Sequence, residues 1–268
     1  MILSVREFVL RIHIYMNCHI PVKHTGAVAE TLAVAADLWY VYRTTFEEVT
    51  GMGMTKELVH WTYEQKCARA VESLGVNGFT ALYCDTSRDA YDYIIREAAE
   101  AETVGFGGSM SVADLQVADR LRELGKELLL HSVPGLSPEE KLVVMRRQLT
   151  CDLFLTGTNA VTLSGWLVNI DGVGNRVGSM LFGPKKVIVV AGRNKLVDGD
   201  AHEAIRRIKG WATPPNAKRL GYNTPCSRTG FCSDCNSPER ICRVTTIIDR
   251  RPRLTDIRVL VVNEEMGL

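Results

Sequence analysis

From Gly75 onward, short β-rich runs alternate with amphipathic stretches at a spacing that leaves the chain few ways to fold. Phe79 to Cys84 reads as a strand. Ser87 to Ala101 reads as a helix, with Tyr91, Ile94, Ile95 and Ala98 on one face. Thr103 to Phe106 is a short strand, Asp114 to Leu124 a helix, Leu128 to His131 a strand. Pro138 to Leu149 is a helix opened by Ser137 as N-cap and Pro138 at its first position. Asp152 to Thr156 and Lys186 to Ala191 are further strands, Ala201 to Ile208 a helix, and Ile257 to Asn263 a last apolar strand. Such alternation implies an α/β fold, a mostly parallel sheet with helices on both faces. One stretch departs from it. Val161 to Ile170 places two β-like runs around the turn dipeptide Ser164-Gly165, which predicts an inserted hairpin.

Upstream, Leu58, Trp61, Tyr63, Ala68, Val71 and Leu74 recur at near-helical spacing, so 55–74 is an amphipathic helix stopped by Gly75. Residues 1–53 carry apolar runs without a consistent period and end in a Gly-rich stretch, which puts a boundary near residue 53. They are either a small helical extension or text ahead of a start at Met52 or Met54. Arg6, Glu7 and Arg11 interrupt what would be the apolar run of a secretory signal, so a cytoplasmic location is expected. Glu30 and Asp37 break the most apolar early segment, so no membrane span is expected. The formal charge of +1 is no footprint of a general nucleic-acid binder.

Three glycine-rich or polar segments follow strands. Gly105-Phe106-Gly107-Gly108-Ser109-Met110 lies between a strand and a helix, where bare backbone N–H groups can approach an anion. It lacks the last glycine of a dinucleotide fingerprint and the lysine of a phosphate loop. Thr156-Gly157-Thr158-Asn159 leaves a second strand. Asn169-Ile170-Asp171-Gly172-Val173-Gly174-Asn175-Arg176 leaves a third, with Arg176 suited to clamp a carboxylate or phosphate. Gly105, Gly107, Gly108, Ser109, Thr158, Asn159, Asp171, Gly174, Asn175 and Arg176 are therefore the candidate ligand residues, for a small anionic ligand at the strand exits. Tight turns explain the glycines equally simply.

Cys226-x5-Cys232-x2-Cys235-x6-Cys242 crowds four thiols into 17 residues of the stretch 212–256, which reads as coil and holds Pro214, Pro215, Pro225, Pro238 and Pro252. The clustering favours metal ligation over disulfides, and four thiolates suit either a [4Fe–4S] cluster or a zinc ion. Twelve Arg and Lys against four acidic residues between 206 and 258 would offset the charge of a thiolate centre, or dock an acidic partner, or simply face solvent. Cys84 and Cys151 sit beside apolar strand-like runs and Cys67 in a helix-like one, and they read as plain core or surface thiols. Histidines 60, 131 and 202 have no recognisable motif around them, and no catalytic residue is assigned.

From about Met54 onward the chain resembles the LUD (lactate utilisation) domain family. The resemblance is carried by Val104 to Met110, Pro134 to Glu139, Leu155 to Ala160, Asn169 to Arg176, Phe182 to Val190, Pro215 to Arg219 and the cysteine block with Asp234 to Pro238. It implies one LUD α/β domain over 54–268, including the Cys-rich segment 212–256, with a fold akin to ribose-5-phosphate isomerase and the CoA-transferases. It also implies a part in oxidising L-lactate to pyruvate, beside iron–sulfur or flavin partner subunits. The expectation is a redox accessory with an iron–sulfur cluster for electron transfer. The alternatives are a stand-alone transferase- or isomerase-like enzyme with structural zinc, or a non-catalytic regulatory module; a homo-oligomer is compatible with all three.

Overall fold

The computed structural model of the chain describes residues 52–268. The extension 1–53 and its boundary lie almost wholly outside the described residues. The chain divides into compact units Met1–Leu58 and Val59–Leu268, and from Val59 on everything described belongs to the second. Among the described residues no helix is long and apolar enough to cross a membrane.

Helix α1 runs Met52–Val76. Its buried stripe is Cys67, Ala70 and Leu74, whereas Trp61 of the expected apolar face is exposed. Then come β1 (Thr80–Cys84), α2 (Ser87–Glu97) and β2 (Thr103–Phe106). Thr86 and Asp89 form a reciprocal capping box at the start of α2, which ends four residues earlier than its pattern suggested. The single helix expected over 114–124 is two, α3 (Met110–Asp114) and α4 (Val117–Glu123), because Gln116 takes a left-handed conformation at φ 54° and breaks the run. Next are β3 (Glu127–Leu129), α5 (Pro138–Gln148) with its Ser137 cap, and β4 (Leu153–Gly157). The hairpin β5 (Ala160–Thr162) and β6 (Leu167–Asp171) is antiparallel, with Gly165 at φ 81° in its turn. After it come α6 (Asn175–Leu181), β7 (Lys186–Gly192), a 3-10 turn Arg193–Lys195, β8 (Leu196–Val197) and α7 (Ala201–Arg207).

Strands β1, β10 (Asp256–Val262), β7, β4, β2 and β3, in that order, form a six-stranded sheet in which each pairing is parallel. Central β7 buries Val187 to Ala191 completely, and each such aliphatic side chain contributes about 1.5–3 kcal/mol on leaving water. Asp152 pins two strands in register: it accepts from the backbone N–H of Glu102 and of Thr103 at 3.0 and 2.9 Å, just before β4 and at the start of β2. Glu97 of α2 likewise bridges Lys186 and Arg258, each at 2.6 Å, at the starts of β7 and β10. One face of the sheet is covered by α2, α3 and α4 through Ile94, Val112 and Leu121. The other is covered by α1 and α6, through Leu74 and Met180, together with a second sheet.

That second sheet, ordered β8-β5-β6-β9, enlarges the expected hairpin. It recruits its last strand from the stretch read as coil. Residues 212–256 contain α8 (Thr213–Arg219), α9 (Pro225–Thr229) and β9 (Val244–Ile248), which pairs antiparallel with β6; β10 (Asp256–Val262) follows. Prolines mask this structure in the sequence because Pro214 and Pro225 stand in the first turns of their helices, where no N–H is needed.

Candidate functional site

The carboxyl ends of β2, β4 and β7 open on one rim. At β2, Gly105 lies inside the strand, where a Cβ would meet Cys151 Sγ at 2.9 Å, so its smallness serves packing. Gly107 lies so close to β4 that a Cβ would stand 2.7 Å from Thr156 Oγ1. Gly108 has φ 70° and is exposed. Ser109 caps α3, accepting from Val112 N at 3.3 Å. Beside this loop stands His131, 3.5 Å from where a Gly108 Cβ would lie. Gln148 Nε2 contacts its Nδ1 at 3.0 Å, and burial holds the imidazole below its usual pKa. Gln148 Nε2 gives its two protons to the Phe106 and Leu129 carbonyls at 2.9 and 2.8 Å, and the ring turns its own Nε2 toward the glycine loop. The sequence offered no motif for His131; only the pairing of β3 with β2 brings it there.

The second and third segments form a closed network. Thr158 Oγ1 donates to Ala160 O at 3.1 Å and Asn159 N to Asn169 Oδ1 at 3.1 Å. Arg176 is its centre. Its Nε and Nη2 donate to Asp171 Oδ1 at 2.9 and 2.5 Å, its Nη1 to Gly157 O and Asn169 Oδ1 at 3.0 and 2.6 Å, and its Nη2 to Asn159 Oδ1 at 2.7 Å. The second Asp171 oxygen accepts from Val177 N at 3.1 Å. The arginine read as a ligand clamp thus has its donors engaged within the protein, fastening the β4 exit to β6 and α6. Gly174, at φ 90°, turns the chain into α6, and Asn175 opens that helix. Asn169 Nδ2 is buried without a partner beside the network.

Directly behind Asp171 lies the cysteine segment. Arg243 N donates to Asp171 O at 2.9 Å, and the Ile241 carbonyl stands 3.3 Å from where a Gly172 Cβ would be. Cys226, Cys232, Cys235 and Cys242 line one small cavity, open to solvent, together with Thr213, Thr224, Asp234 and Arg240. A π-helical turn, Ile208–Ala212, joins α7 to α8 and brings in Thr213, whose hydroxyl Cys242 contacts at 3.7 Å. Thr224 caps α9 and holds Cys226 Sγ at 3.2 Å. Arg240 ties the loop: it donates to Cys235 O at 2.5 Å, to Cys242 O at 2.7 Å and to Asp234 at 2.7 Å, and Lys209 also reaches Asp234 at 2.9 Å. Of the basic surround, Arg240 and Arg243 serve the backbone of the cysteine loop.

All described cysteines are free thiols. Burial pushes Cys67 and Cys151 up to about 11 and Cys84 to about 12, as core thiols require. Burial also raises Cys242, with the thiols of Cys232 and Cys226 adding to it and Thr213 and Arg240 opposing. Among the described residues no three His, Cys, Asp or Glu side chains already converge closely enough to hold a metal ion. By donor type the site fits a thiolate-bound centre, with four soft ligands on one cavity wall and an arginine against their backbone. A metal held here would displace the thiol protons.

A two-sheet α/β unit with glycine-rich strand exits and a four-thiol cavity behind them defines the class. The LUD domain pattern matches residues 67–262, and the chain belongs to the LUD domain family. A DUF162 family protein from Deinococcus radiodurans is similar in structure at 15% identity, over 75% of this chain and 98% of that one, with a TM-score of 0.44. Ribose 5-phosphate isomerase from Plasmodium falciparum is similar at 16% identity, over 42% of this chain and 54% of that one, with a TM-score of 0.24. No curated protein matches the chain.

Proposed function

We propose that this chain is a lactate-utilisation protein in which Cys226, Cys232, Cys235 and Cys242 hold an iron–sulfur cluster, serving the two-electron oxidation of L-lactate to pyruvate beside iron–sulfur or flavin partner subunits. Family membership supports a lactate-utilisation type of function in general terms. The observation that carries the redox reading is the gathering of four thiols, spread over 17 residues, around one solvent-open cavity. When bound, such a cluster supplies one-electron transfer. The chain's own part is to supply the sulfurs and to hold the loops that bear them, through Arg240, Thr213 and Thr224. A small carboxylate fits the neighbouring glycine loop best at Gly107–Ser109, toward which His131 turns its Nε2 and where Arg176 contributes only by fixing the rim.

Anaerobic purification followed by iron, sulfide and zinc analysis and a visible absorption spectrum tests this. About four iron and four sulfide per chain with charge-transfer absorption are expected. One zinc per chain without iron would instead make the centre a structural clip, in a stand-alone transferase- or isomerase-like enzyme.

A further inference from the structure

Lys195, in the 3-10 turn after β7, is buried, with 4% of its surface exposed. Among the described residues its ammonium is in no ion pair with a carboxylate. It donates to Ser111 Oγ at 2.6 Å, and Ser111, fully buried, donates onward to the Met266 carbonyl at 3.1 Å. The charged groups facing it are Arg207 from α7, Arg176 from α6 and Asp114 from α3. Burial first, then the two guanidinium groups, push the amine down to about 7, against a weaker pull from Asp114. A lysine in these surroundings is substantially neutral at neutral pH, and the neutral amine is a nucleophile.

A short strap lies against Ser111, the partner of this amine. Residues 264–267 cross from the exit of β10 over those of β7 and β2. Arg193 N donates to Glu264 O at 2.9 Å and Met266 N to Asn194 Oδ1 at 3.0 Å. Asn194 Nδ2 donates to Gly267 O at 3.3 Å, and Gly267 N to Asp114 Oδ2 at 2.8 Å. Gly267 has φ 58°, and a Cβ there would stand 2.7 Å from Ser111 Oγ, so the strap lies this close only because the residue is glycine. Besides the packing of Met266, a handful of hydrogen bonds in one short segment holds it, the kind of contact that opens locally without unfolding the rest.

We propose that Lys195 is a carbonyl-reactive amine, housed at the strand exits beneath a strap formed by residues 264–267 that lifts to admit a small aldehyde or ketone. The Nζ lone pair adds to the carbonyl carbon. The carbonyl oxygen leaves as water, carrying the two amine protons, and a carbon–nitrogen double bond remains, so no oxidant or reductant takes part. Ser111 positions the amine. The residues involved are separate from the four cysteines, so the metal content of the protein does not bear on this site.

The intact protein, treated with glyoxylate and cyanoborohydride at about neutral pH, tests the proposal, because hydride reduction converts the imine to a stable secondary amine that peptide mapping by mass spectrometry locates. Lys185 is the internal control: its exposed ammonium is held protonated by Asp152 at 2.7 Å. Lys195 is expected to label at least about tenfold faster than Lys185, as a neutral amine does against a protonated one. Gly267→Val and, independently, Asn194→Ala loosen the strap by different contacts and should each accelerate labelling at Lys195 severalfold while leaving Lys185 unchanged. Labelling at Lys195 no faster than at Lys185 in the wild type and in both variants overturns the proposal.

Discussion

Two arginines, Arg176 and Arg240, do similar work in different surroundings. Each donates to backbone carbonyls on two segments and to one aspartate. Arg176 and Asp171 are 12% and 7% exposed, whereas Arg240 and Asp234 are 23% and 66% exposed. The buried pair belongs to a network in which every Arg176 donor is engaged, with only the Asn169 Nδ2 left over, and this braces the strand rim. The exposed pair only fastens a loop whose sulfurs have few partners. Polar groups already satisfied inside a fold mark its scaffold, and those left with capacity mark the places where a ligand can act.

The sharpest break of this comparison is Arg176→Ala. Removing one partner leaves Asp171 buried and uncompensated, with an expected loss of about 3–5 kcal/mol in urea unfolding; a loss under about 1 kcal/mol would mean that the network is no scaffold. Lys195 extends the comparison to a buried cation that faces Asp114 but forms no ion pair with it among the described residues. Its amine falls from an ordinary lysine value of about 10.4 to about 7. Between those values the unfolded chain binds the proton that the folded chain has lost, so stability from this group rises with pH from about 7 to about 10. Below about 7 both states carry the proton and the penalty of burying the charge is fully present. Lys195→Met should therefore be more stable than wild type near pH 6, on the order of 3 kcal/mol, with the difference shrinking toward pH 10. Parallel curves for the two proteins would show that the amine is not desolvated.

Asp152 tests an intermediate case. The Lys185 ammonium and the Thr103 backbone hold its carboxyl well below the usual carboxylate range. Its contribution is thus present above about pH 4 and is lost as pH falls through the lower folded value. Asp152→Asn should cost on the order of 1 kcal/mol at pH 7, and the gap should close in acid; a gap that persists at about pH 2 would assign the effect to lost shape rather than lost charge. The smallest stability effect belongs to Arg240→Gln, about 1 kcal/mol, since its acid partner Asp234 is exposed. Its iron content, however, should fall severalfold, because Cys235 and Cys242 lose their shared tie. Wild-type iron loading in that variant would show that the loop needs no arginine.

How much of this was legible in advance depends on the range of the interaction. The Ser137 cap, the strand β7 and the hairpin turn at Ser164-Gly165 are written in neighbouring residues, and a reader of neighbours finds them. The break at Gln116 was not legible, because a left-handed glutamine has no compositional mark. Strand β9 was hidden because its pairing partner β6 lies more than seventy residues earlier, amid prolines that disguise its surroundings. The candidate residues divide the same way. The four cysteines announce themselves by spacing, while His131 and Lys195 are ordinary letters until a sheet and a strap close around them.

The order of strands and helices, the glycine-rich exits and the thiol cluster were determined by the sequence alone, because hydrophobic period, caps and ligand spacing act over a few residues. Tertiary structure alone decided that Arg176 ties the rim instead of facing a ligand, that the proline-rich stretch completes a second sheet, and that one lysine is buried without an ion pair among the described residues. Those outcomes turn on burial and on which distant groups become neighbours, and both exist only once the chain has packed.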